Sequence, residues 1–292
     1  MSRSLILRLL VTIAFFVPPA GGCGGGATDG RRTRTWFGGG ADPSVTGAGR
    51  ESPTGGLRIV DLVFEVRRAA IPAADTHHSR KIWNHVDELR LGADAAALLA
   101  RNGLRIGAAS PGSWPAIDAV LKAGGARIET RQLVTQRGWP LAIAMGPIAE
   151  GASIFTYDRS GRLSGKTYDG GEKLLNLDYD YHPQMGGSID IGVRPEIRRD
   201  RGVLTWERSG DAIRQVPAYD RHRFEQLDAA LTLHPTELLV IGPSDEANNE
   251  YLLGSRLLCD QRDGQRSETI LFIVPHPYQT VGGARPPHAA GP

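Results

Sequence analysis

Two stretches near the middle of the chain alternate with a period of two, and few folds accommodate that. Leu175, Leu177, Tyr179 and Tyr181 fall on one face of an extended segment, with Asn176, Asp178, Asp180 and His182 on the other. Ile189, Ile191, Val193 and Ile197 oppose Asp190, Arg194 and Glu196 in the same manner. Successive side chains of a strand point to opposite faces, so each stretch is a strand with one dry and one wet face. Such a strand suits a sandwich laid over a core. It equally suits a barrel wall with lipid or protein outside and a watery lumen inside.

The surroundings read as β structure with a short helical preface. Arg58 to Arg67 carries Ile59, Val60, Leu62, Val63, Phe64 and Val66 and predicts a strand buried largely on both faces. Helical spacing follows over Ser79–Leu91, then Ala93–Arg101, which stops at Asn102-Gly103. Leu104–Ala108 is a short strand, and Trp114–Ala123 is a helix between Ser110-Pro111-Gly112 and Gly124-Gly125. From there only strands are expected: 126–135, 141–145, 153–158, 174–182, 188–198, 203–207, 224–233, 238–241, 252–259 and 269–274. The fold class is α+β, mainly β, a helical N-terminal subregion feeding an extended antiparallel sheet system.

The N-terminus carries a different signal. Arg3 and Arg8 flank the start of the apolar run Leu9–Val17, which meets Pro18-Pro19 and then Ala20-Gly21-Gly22 before Cys23. A bilayer core needs about 20 apolar residues, so this run is too short to span, and its order of parts is that of an export signal. The placement of Cys23 resembles the bacterial lipobox, which implies cleavage after residue 22, an acyl lipid on Cys23 and, with Gly24 following, passage to the outer membrane facing the periplasm. The alternative is an ordinary signal peptide cleaved near Ala20. Residues 23–56 are Gly, Thr, Ser, Pro and Arg with little apolar content and read as a disordered tether with a reach on the order of 30 Å. The folded body is expected over 57–277, with a disordered tail over 278–292.

Charge narrows the partners. The 34 Lys and Arg against 32 Asp and Glu become 32 against 32 once Arg3 and Arg8 leave with the export segment. A formally neutral body has no global field for a polyanion, so nucleic acid is not an expected partner. The 2 Cys exclude a disulfide scaffold and a four-cysteine zinc site.

A search for chemistry finds no assembled motif. Asp178, Asp180 and His182 at i, i+2 and i+4 offer two oxygens and an imidazole to a divalent ion, but a solvated strand face accounts for the same residues. His77-His78, with Asp75 and His85, has no pair of His four apart as a helical zinc site needs. Cys259 ends an apolar stretch and reads as a small buried thiol. Ser110-Pro111-Gly112-Ser113 is not a nucleophile elbow, and Gly161 and Gly165 do not make a phosphate loop. Neither a metal nor a cofactor is expected, nor catalysis.

The order of phrases along the chain carries a resemblance. Ile117–Leu121 followed by Ala126–Gly146, with Leu133-Val134-Thr135 and Gly138 inside it, stands where one family has "L-V-T-x-x-G-x-x-A-x-I-x-x-G". Ile189–Ile197 with Pro195, the turn Arg199–Gly202 and Val203–Trp206 follow as that family's alternating strands do. His234–Pro243 corresponds to "G-E-T-L-V-I-G-G" and Glu268–Pro275 to "E-L-L-I-x-I-T-P". Over about three quarters of its length the chain thus resembles the C-terminal domain of bacterial secretins, the outer-membrane ring proteins of type II and type III secretion and type IV pili. The resemblance implies a non-catalytic scaffold or accessory of an outer-membrane assembly, tied to the membrane by its lipid, as a homo-oligomer or a secretion or pilus component. The polar strand face Asp178, Asp180, His182, Asp190, Arg194 and Glu196 would then line shared water, with the apolar face against lipid or a neighbour. Two alternatives remain: a periplasmic β-sandwich lipoprotein that binds a ligand, and an envelope hydrolase that gathers Asp178, Asp180 and His182 with His222 or His234.

Overall fold

The computed structural model describes residues 58–72, 76–135, 140–209, 212–262 and 264–281. The expected export segment, Cys23, the tether over 23–56 and residues 282–292 of the expected tail lie outside the described residues.

The strands form two antiparallel sheets. The first contains β1 (Arg58–Pro72), β2 (Leu104–Ala109), β3 (Arg127–Thr135), β9 (Leu238–Pro243), β10 (Cys259–Arg262) and β11 (Gln265–Val281), in the order β2-β9-β11-β1-β3 with β10 beside β11. The second contains β4 (Leu141–Tyr157), β5 (Leu163–His182), β6 (Ser188–Ser209), β7 (Ala212–Arg223) and β8 (Ala229–Leu233), in the order β4-β5-β6-β7 with β8 also on β6. Four helices complete the fold: α1 (Thr76–Trp83), α2 (Ala93–Arg101), α3 (Trp114–Ala123) and α4 (Leu253–Leu258) among the described residues.

At its centre, in β9 and β11, the first sheet is dry on both faces, as the apolar run in β11 requires, while β3 at its edge is largely exposed. Ile270, Phe272 and Val274 of β11 pack with Ile82 and Trp83 of α1 and Ile117 and Leu121 of α3. Leu271 and Ile273, one step out of phase, face the other way and join Leu62, Phe64 and Val66 of β1 against the second sheet. There they meet Leu175 and Leu177 of β5, Ile189, Ile191 and Val193 of β6, and Leu231 and Leu233 of β8. The Phe64 and Tyr179 rings bridge the layers edge to face at 5.1 Å. Helices, sheet and sheet therefore stack as three layers, mainly β.

The register explains the alternation. Leu177 pairs with Val193, Tyr179 with Ile191 and Tyr181 with Ile189, while Ile191 pairs with Leu231. The dry face is covered by the chain's own first sheet, and Leu177, Ile191 and Val193 are fully buried. Of the two alternatives, this strand pair is a sandwich strand over a core, which corrects the expectation that the apolar face meets lipid or a neighbour; of that face only Tyr179 and Tyr181 are partly exposed.

Other expectations change at the edges. The helix over Ser79–Leu91 stops at Trp83, since Asp87 bridges to Ala108 of β2 and only a short 3-10 turn remains at Leu89–Leu91. The strand expected at 252–259 is mostly α4: Leu253, Leu257 and Leu258 are buried, and a short apolar run does not distinguish strand from buried helix. Gly254 explains why α4 docks there, because a Cβ on it would lie 2.0 Å from the Gly103 carbonyl oxygen. β11 continues to Val281, paired with Arg58, past the expected boundary at 277. β7 and the first half of β5 were not expected at all.

β5 and β6 part company at Gly170-Gly171. Their pairing ends at Glu172 with Arg198, and Gly171 has φ 133° with its missing Cβ 2.7 Å from the Arg198 carbonyl oxygen. Beyond that point the β4–β5 hairpin turns onto the body, where the Phe155 amide donates to the Tyr251 carbonyl at 2.8 Å and the Tyr157 amide to Asn102 Oδ1 at 2.7 Å. The β6–β7 hairpin continues as a two-stranded ribbon paired only with itself among the described residues.

Candidate functional site

The wet face of β5 and β6 is a set of separate ion pairs rather than one converging site. His182 Nε2 lies 2.9 Å from Asp190 Oδ2, and the Thr232 hydroxyl of β8 donates to Asp190 Oδ1 at 2.6 Å. Arg194 Nη1 holds Asp178 at 2.7 Å, and its Nε reaches Asp228 Oδ2 at 3.3 Å. Glu196 is only 1% exposed. Its Oε2 accepts from Asn176 Nδ2 and Arg223 Nε, each at 3.1 Å. Asp180 is also partnered.

The three residues weighed as metal ligands thus lie on one face as expected, but Asp178 and His182 face different partners. Among the described residues no group of three or more His, Cys, Asp or Glu side chains is placed to share a metal ion. The hydrolase arrangement is not assembled either. His222 lies against Tyr168 and Phe224, with Lys166 Nζ 3.3 Å from its Nδ1, and burial and Lys166 together lower its pKa. His234 gives its backbone amide to Glu237 Oε2 at 2.8 Å, and Glu237 in turn forms a two-pronged pair with Arg90 at 2.6 and 2.7 Å.

Asp228 was missed by the sequence reading. It sits between the Arg194 pair and a groove of about 800 Å³ lined by Gly92, Asp94, Leu98, Arg101, Asp158 and Gln226. Its Oδ1 is buried without a hydrogen-bond partner, and burial raises the carboxyl to about 6 against the opposing pull of Arg194. No sequence signal marked it, since a single Asp ahead of a short strand is ordinary turn chemistry.

Exposed apolar surface gathers elsewhere. On the ribbon, Leu204 pairs with Pro217 and Trp206 with Gln215, and Ile213 lies two residues before Gln215 on β7, so Leu204, Trp206 and Ile213 share one face. Leu204, Trp206 and Ile213 are 63%, 67% and 65% exposed. A two-stranded ribbon is marginal alone in water, and a clustered apolar strip on it marks an interaction surface.

These features define a two-sheet, mainly β protein with an apolar ribbon and a wet, ion-paired sheet face. No family model matches the chain, and no curated protein matches it in sequence. Among solved structures it is similar to the secretin domain β-barrel of InvG from the Salmonella SPI-1 injectisome, with 13% identity, TM-score 0.21, and coverage of 80% of this chain and 66% of that one. It is also similar to the type IV competence pilus secretin PilQ of V. cholerae, at 11% identity and TM-score 0.21 over 76% of this chain and 59% of that one. The type II secretion secretin GspD of E. coli K12 gives 10% identity and TM-score 0.20 over 76% and 50%. The chain spans half to two thirds of the length of these structures.

Proposed function

We propose that the protein is a lipid-anchored, non-catalytic scaffold or accessory of an outer-membrane, secretin-like assembly, and that it works as a homo-oligomer. The observation that carries the reading is the β6–β7 ribbon. Among the described residues its apolar strip is uncovered and both backbone edges beyond Arg198 are unpaired. Open edges template pairing with another chain, and closing them in a ring removes the liability. A second copy offers the same edges in the complementary antiparallel sense. The order of secretin-like phrases along the sequence supports the same reading, as does a wet sheet face whose acids and bases are paired rather than poised for chemistry.

Anchoring is tested separately. Cys23→Ser should move the protein from the membrane pellet to the soluble fraction, because acyl chains contribute about 0.8 kcal/mol per buried CH₂ to membrane binding. Unchanged pelleting together with an unmodified Cys23 peptide in the native protein contradicts the anchor.

A further inference from the structure

Lys173 is in phase with Leu175 and Leu177 on β5, an ammonium on an otherwise dry face. Its side chain is 8% exposed, and Asp260 of β10 lies 3.6 Å away, longer than a direct hydrogen bond. It opens into a cavity of about 220 Å³ between β4, α4 and β10, lined also by Ser255, Arg256, Cys259 and Arg266.

Two of the lining cations, Lys173 and Arg256, are incompletely paired. Among the described residues Arg256 Nε is buried without a hydrogen-bond partner, and its guanidinium lies over the Tyr251 ring at 5.4 Å. Arg266 turns its Nη groups to the carbonyls of Ala247 and Asn248 and to Cys259 Sγ. Arg68, whose Nη2 donates to the Ala144 carbonyl at 2.7 Å, adds further positive potential. Asp260, nearly half exposed, and Glu250 at the outer rim are the acids that line the cavity, while Glu268 is buried beside Cys259 and Arg266, and Glu129 of β3 pairs in register with Arg68. Burial, Arg68 and Arg256 all depress the Lys173 ammonium, with Asp260 alone opposing. A buried guanidinium nitrogen without a partner is unfavourable, and a guanidinium and an ammonium lining one cavity form a receptor for an oxyanion.

We propose that this cavity binds a small doubly charged oxyanion of the phosphate and sulfate class, held by Lys173 Nζ and the Arg256 guanidinium. The site is independent of the assembly reading. Asp260 competes with the anion for Lys173, so its carboxylate weakens binding and its removal strengthens it. That sign distinguishes a receptor from a merely structural ion pair, which loses stability when Asp260 is neutralised and gains no ligand.

The test is melting and calorimetric titration of the full chain at pH 7 with sodium phosphate, against sodium chloride at matched ionic strength. Phosphate should raise the melting temperature by several degrees, and Lys173→Met and Arg256→Gln should each remove most of that rise. Asp260→Asn should tighten phosphate binding on the order of tenfold. Glycerol 3-phosphate runs in parallel: tighter binding than inorganic phosphate supports the site with a phosphomonoester as its source, and weaker binding supports it with the free anion. If Lys173→Met fails to fold, the Arg256 and Asp260 variants decide. Phosphate and chloride acting alike on the native protein, or a phosphate effect indifferent to Arg256→Gln and Asp260→Asn, overturns the proposal.

Discussion

Asp228 is the residue at which stability and pH meet. Its folded carboxyl is raised to about 6, above the usual unfolded value near 3.9. A group raised in this direction favours the folded state most below its unfolded pKa, and that contribution is lost as pH climbs through about 6. Asp228→Asn holds the side chain neutral throughout. Relative to the native protein it should therefore be more stabilising at pH 7.5 than at pH 4, by roughly 2 kcal/mol or less, since each pKa unit is worth about 1.4 kcal/mol and Arg194 recovers part of the cost. Urea denaturation at the two pH values checks this. A difference that is the same at both, or of opposite sign, rules out a buried, high-pKa carboxyl.

At the level of strands, the two faces of β6 make opposite predictions. Ile191 is fully buried between the sheets, so Ile191→Asp should unfold the isolated chain, at a cost on the order of 4 kcal/mol or more. Asp190→Asn keeps the shape and loses charge toward His182 and Thr232, a cost of about 1 kcal/mol, and circular dichroism melts separate the two. A folded Ile191→Asp variant would mean the dry face is not core. This contrast also marks what could be read in advance. Strands β5 and β6 were legible over 174–182 and 188–198 because the first sheet covers one side of them and water the other. β7 was not, because a ribbon wet on both sides has no reason to alternate, and Leu204, Trp206 and Ile213 look like noise until their pairing places them together. Leu252–Cys259 was misread because an apolar run with no polar face has no period to measure. Ion pairs such as Arg194 with Asp228 join residues far apart in sequence, so the wet face was visible but not its partners. Lys173 was not singled out, because the strand was expected to begin only at Leu174.

As a whole, the molecule folds its core without help and leaves one part unfinished. Helices, first sheet and second sheet bury their apolar faces on one another, while among the described residues the ribbon beyond Arg198 has open edges and an exposed apolar strip. Under the proposed self-assembly a second copy covers that strip, and interface contacts can then be removed without touching the core. The decisive measurement is sedimentation velocity of the full-length protein, extracted in mild detergent at micromolar concentration, beside the triple variant Leu204→Ser, Trp206→Ser, Ile213→Ser. The account predicts a multimer for the native chain and a monomer of unchanged melting temperature for the variant. A monomeric native chain, or a variant that sediments as the same multimer, contradicts it.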